Sequence, residues 1–103
     1  MSMELLTMDH WDLFFDNEED LKRAQKAQIG QVLDILAWTA TIDQFQHWVY
    51  AHPDHTPTQR KNAWNEIVDR FSDHVTDWSG QEQVKDFMWQ TQLHLFEVPF
   101  YYI

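Results

Sequence analysis

His94, Tyr101 and Tyr102 stand within nine residues of one another, with Glu97 between them, on the apolar segment Gln92-Leu-His-Leu-Phe-Glu-Val-Pro-Phe-Tyr-Tyr-Ile103. A neutral imidazole and two phenols are hydrogen-bond donors that suit an oxyanion developing on a carbonyl. Taken by spacing alone, a tyrosine pair in an apolar helix more often packs into a core. A second set is Asp43 and His47, four apart on one helix face, followed by His52 and His55. A metal centre needs three or four such groups converging, and Pro53 interrupts the helix between them, so this set reads as surface polar residues and turn formers. His10 and His74 are isolated. Glu4, in the apolar start Met1-Ser-Met-Glu-Leu-Leu-Thr7, complements a helix dipole.

The elements that must position these residues read as helices. With two glycines, three prolines, 44% hydrophobic and 16% aromatic residues, the chain is too apolar for disorder and too poor in turn residues for a β fold. Its 103 residues suit a single helical domain. Apolar positions from Leu5 to Phe15 predict a first helix over 3–15. Asp16-Asn-Glu-Glu19 matches a capping box, with Asp16 as N-cap and a second helix starting at Asn17. That pattern runs to Tyr50 or Ala51 before Pro53, about 35 residues or roughly 50 Å, so a break is expected at Gly30 or around Thr39-Ala-Thr41. Thr56-Pro-Thr-Gln59 opens a third helix to about Ser72. Ser79-Gly-Gln-Glu82 opens a last one to about His94, and Pro99 interrupts it. The expected fold class is all-α, with four or five helices.

Two of these helices differ in character. Ala63, Trp64, Ile67, Val68 and Phe71 share an arc of roughly 140°, the pattern of a surface helix with one buried face. From Val32 to Tyr50 the apolar residues project around nearly the whole circumference, which calls for cover on all sides. The rest of a larger fold of which this is a fragment, a domain-swapped homo-oligomer, or a partner chain would supply it.

The run His94–Ile103 resembles the region of the zinc oligoendopeptidases, of the oligoendopeptidase F and thimet oligopeptidase type, that presents a His and Tyr groups to substrate. Met1–Thr7, Ile42-Asp-Gln-Phe-Gln-His-Trp-Val-Tyr50 and Ala51-His-Pro-Asp-His-Thr-Pro57 agree in the same order, so the resemblance covers essentially the whole chain. It implies a part of a larger helical metallopeptidase fold, an oligopeptide substrate, and roles for His94 as substrate-binding donor and for Tyr101 and Tyr102 as neighbouring oxyanion or substrate donors. It also places Glu4 two turns after the family's third zinc ligand. The departure is large, because the family chelates zinc through His-Glu-x-x-His and a downstream Glu, and this sequence has no His-Glu pair. By the resemblance, the chain begins just after the metal site and the tyrosine region continues beyond Ile103. The expectation is therefore a peptidase fragment without metal ligands or cofactor of its own, inactive unless a complementary fragment supplies them. A stand-alone helical module that self-associates is the alternative.

A formal charge of −10 argues against nucleic acid, which needs clustered Lys and Arg, and all seven basic residues fall between Lys22 and Lys85. The absence of cysteine excludes disulfides and thiolate ligands and fits a cytoplasmic location, and no stretch reaches the ~20 apolar residues of a membrane span. No membrane partner is expected.

Overall fold

The computed structural model describes residues 2–102, and among them the secondary structure is helical throughout, with no strand. Five α-helices follow one another: α1 (Ser2–Thr7), α2 (Glu18–Ala51), α3 (Pro57–Phe71), α4 (Glu82–Phe87) and α5 (His94–Glu97). Short 3-10 segments cover Met8–Phe14 and Met88–Thr91. The all-α class expected from composition is the class observed. The chain divides into two compact units, Met1–Leu36 and Ala37–Ile103.

In the first unit, the helix expected over 3–15 is α-helical only to Thr7 and tightens to 3-10 geometry after it. The Thr7 hydroxyl donates to the Met3 carbonyl at 2.8 Å, an internal side-chain bond that competes with the backbone ladder where the geometry changes. The N-cap of α2 is Asn17 rather than Asp16. Its Oδ1 accepts from the Asp20 amide at 2.8 Å, and its Nδ2 donates to the Asp20 carboxylate at 2.7 Å. The capping logic holds one residue further on than the Asp16–Glu19 spacing suggests.

Helix α2 runs 34 residues without the expected break. A helix-interior glycine costs only about 1 kcal/mol, and good helix formers such as Ala27, Gln28 and Gln31 surround Gly30. Thr41 is accommodated because its hydroxyl donates to the Ala37 carbonyl at 2.8 Å.

The second unit holds the core. Ile42 and Phe45 from α2 meet Trp64, Ile67 and Val68 from α3 and Trp89 from the 3-10 turn. The arc read on α3 is the buried face, with Phe71 half-buried at its end. Trp64 is completely enclosed, edge-on to Phe45 with ring centroids 5.0 Å apart, and its indole N–H donates to the Lys85 carbonyl at 2.7 Å. That bond satisfies the polar end of a buried ring and ties α3 to α4. The Thr56–Gln59 box forms as expected, with Pro57 opening the helix.

The helix expected from Ser79 to about His94 is instead three short pieces. Ser79 does not cap; Gly80 takes a left-handed φ of 77° and its amide donates to the Glu82 carboxylate at 3.1 Å, so α4 begins two residues later than the spacing suggests. The tightening at Met88–Thr91 turns Trp89 into the core.

Candidate functional site

His94 opens α5 and is exposed, while Tyr101 and Tyr102 follow it on the C-terminal segment, each half-buried. The structure brings all three together. The imidazole stacks on the Tyr101 ring with centroids 4.2 Å apart and planes 19° from parallel, and Tyr101 in turn lies 4.2 Å from Tyr102.

Gln92 fixes the histidine. Its Oε1 accepts from the Trp38 indole N–H at 3.1 Å, which turns its amide nitrogen toward His94 Nδ1, also at 3.1 Å. An Nδ1 that accepts leaves the ring proton on Nε2, so His94 presents an N–H donor. The side chain that holds the ring is thus Gln92, two residues before His94, rather than Glu97, three residues after it.

Gln46 fixes the tyrosines. This side chain of α2 is only 4% exposed, donates to the Pro99 carbonyl at 3.1 Å and accepts from the Tyr101 amide at 2.9 Å. The Tyr50 hydroxyl donates to the same Pro99 carbonyl, and Phe100 packs between His47 and Tyr50. Burial pushes the Tyr102 phenol above the ordinary tyrosine range, and Tyr101 adds to the rise against a hydrogen bond with Thr39 that opposes it. Tyr102 thus stays protonated, a donor rather than a base.

Sequence reasoning missed Gln46, Gln92 and Trp38. Gln46 carried a signal: one residue after Phe45 and four after Ile42, it sits on the core-facing side of α2, where a polar side chain needs partners. Gln92 carried none beyond its proximity to His94.

The remaining candidates meet only as local pairs within a few residues of one another. His47 Nε2 lies 3.7 Å from Asp43, the spacing expected for residues four apart. His52 donates from Nδ1 to the Trp48 carbonyl at 2.8 Å and stacks on that indole, and His55 Nδ1 binds the His52 carbonyl at 2.6 Å, so both shape the turn before α3. His74 adopts a left-handed φ of 55°, and His10 lines an exposed apolar hollow with Trp11 and Phe14. Among the described residues, no three His, Cys, Asp or Glu side chains converge on one point, and the sequence has no His-Glu-x-x-His. The donor set therefore does not fit the zinc of the family the sequence resembles.

No family model, curated protein or solved structure matches the chain. Among the described residues, no helix is long and apolar enough to cross a membrane. The C-terminal segment thus brings together the His94 imidazole, held through Nδ1 by Gln92, and two phenols, of which Tyr102 is hydrogen-bonded to Thr39 and Tyr101.

Proposed function

We propose that this chain is the substrate-binding part of a peptidase-like helical fold of the oligoendopeptidase F type, in which His94, Tyr101 and Tyr102 donate hydrogen bonds to the carbonyl oxygen of a bound oligopeptide. The observation that supports this best is the Trp38–Gln92–His94 hydrogen-bond chain, in which Nδ1 accepts and the imidazole proton is left on Nε2. Peptide hydrolysis is assigned to an assembly with a complementary polypeptide carrying the metal half, because the water-activating carboxylate and the zinc ligands are not in this sequence. A cytoplasmic location belongs to the same proposal. The test mixes the chain with a polypeptide bearing His-Glu-x-x-His from that family. Zinc-dependent cleavage of an oligopeptide that drops about 10²-fold or more in His94→Ala supports the reading, and cleavage indifferent to His94 contradicts it.

A helical self-association module is the second reading, and one observation favours it. No described residue of Met1–Leu36 is buried, and Leu6, Leu13, Phe14 and Leu33 are 75%, 76%, 80% and 62% exposed. Apolar surface of that density on a compact unit calls for cover, which a homo-oligomer would provide. Sedimentation velocity at tens of micromolar decides it: a dimer or larger species is expected, and a monodisperse monomer removes the reading.

A further inference from the structure

Arg60 is the unusual cation of this acidic chain. Of seven Lys and Arg residues against 17 Asp and Glu, five pair with a carboxylate within 4 Å; among the described residues Lys26, which is exposed, and Arg60, which is half-buried, do not. Its guanidinium lies over the Trp89 ring, 5.1 Å from the centroid, and its Nη1 reaches His55 Nε2 at a long 3.5 Å. A guanidinium engaged by its face keeps the N–H donors at its edge free for a planar acceptor, and a partly desolvated charge without such an acceptor is costly.

Arg60 lines a cavity of about 220 Å³ in the second unit, walled also by Phe45, Val49, Trp89, Leu95 and Phe96. The other polar side chains of the lining are already engaged: Gln46 by Pro99 and Tyr101, and Tyr50 by Pro99. The cavity therefore offers an apolar body site with a cationic side chain at its wall that, among the described residues, pairs with no carboxylate. An apolar cavity of about 150 Å³ accepts a benzene ring, so this one has room for a ring and a few further atoms.

We propose that this cavity binds a small aromatic or branched aliphatic carboxylate, its apolar body against Trp89 and Phe96 and its carboxylate on the Arg60 guanidinium. The same chemistry is offered by a free organic acid and by the C-terminal residue of a peptide. The proposal does not depend on the peptidase reading, since none of its residues belongs to the His94–Tyr101–Tyr102 cluster.

The test is an NMR titration of the full chain with 3-phenylpropionate and with 3-phenylpropionamide, following the Trp89 indole and Arg60 Nε–H resonances. The acid is expected to bind at least about tenfold more tightly than the amide, the effect of a charge-assisted hydrogen-bonded pair. Arg60→Gln should abolish that preference while leaving the amide's weaker binding in place, and Arg60→Lys, which keeps the charge but not the fork, should fall between. N-acetyl-glycyl-phenylalanine and its C-terminal amide separate the two sources: tighter binding of the free-carboxylate dipeptide than of 3-phenylpropionate assigns the site to peptide ends, and weaker binding assigns it to free acids. Equal affinity for acid and amide, a preference that survives in Arg60→Gln, or no binding of any of the four probes at about 10 mM overturns the proposal.

Discussion

Gln46 and Gln92 do at the residue scale what the histidine and tyrosines cannot do for themselves. Each is an amide used at both ends, so each sets the geometry of two groups at once: Gln46 holds Pro99 and Tyr101, and Gln92 links Trp38 to His94. Gln46→Ala should destabilise the chain by about 1–3 kcal/mol in urea unfolding, because a buried pair of hydrogen bonds is lost and the Tyr101 amide is left without its acceptor. Tyr102 gives a pH signature. Burial holds its folded-state pKa above the ordinary value of 10.0, so the folded chain keeps the phenolic proton more tightly than the unfolded one. The resulting stability is fully present below about pH 10 and is lost as pH rises through the folded value. Absorbance titration at 295 nm should show a phenol ionising later than a free tyrosine, and Tyr102→Phe should remove that late phase. The grouping of His94 with the two tyrosines was legible in their spacing. The glutamines were not, since an amide carries no periodicity of its own and its role appears only when distant segments meet.

Among the elements, local chemistry was readable where it acts within four residues and misleading where packing decides. The Thr56–Gln59 box and the apolar arc of α3 are both formed as their spacing indicates. Asp16 lost the cap of α2 to its neighbour Asn17, a difference that helix-capping preferences, nearly equal for Asp and Asn, do not resolve. The segment after Ser79 reads as one helix because Ser79-Gly-Gln-Glu82 matches a capping box. The placement of Trp89 in the core and the left-handed Gly80 instead divide it into short turns. Gly30 gives the test at this scale. A Cβ added there meets nothing within 4 Å, and the residue lies inside an unbroken α2. Gly30→Ala should raise stability by about 0.5–1 kcal/mol, measured as a higher urea midpoint at unchanged slope. A loss of stability would mean that the glycine serves a bend or a contact in solution.

For the whole molecule, the all-α class followed from composition, whereas the division into Met1–Leu36 and Ala37–Ile103 did not. Burial explains the contrast between the units. The core residues Ile42, Phe45, Trp64, Ile67, Val68 and Trp89 all lie in the second unit, while no described residue of the first is buried. The all-round apolar character of Val32–Tyr50 therefore has two meanings along one helix: Ile42 and Phe45 are enclosed, and Leu33 and Leu36 are exposed. Native mass spectrometry at increasing protein concentration should show a dimer or larger species that Leu13→Glu with Phe14→Glu shifts toward monomer.

The proposed substrate role of His94, Tyr101 and Tyr102 meets its most direct test in NMR of the isotopically labelled full chain titrated with an N-acetylated, C-terminally amidated octapeptide, whose blocked end offers no carboxylate to Arg60. The account predicts saturable shifts centred on the His94 ring and on Tyr101 and Tyr102, reduced at least about tenfold in apparent affinity by Gln92→Ala, which frees the imidazole to change tautomer. Shifts absent at millimolar peptide, or centred away from these three residues, would contradict it.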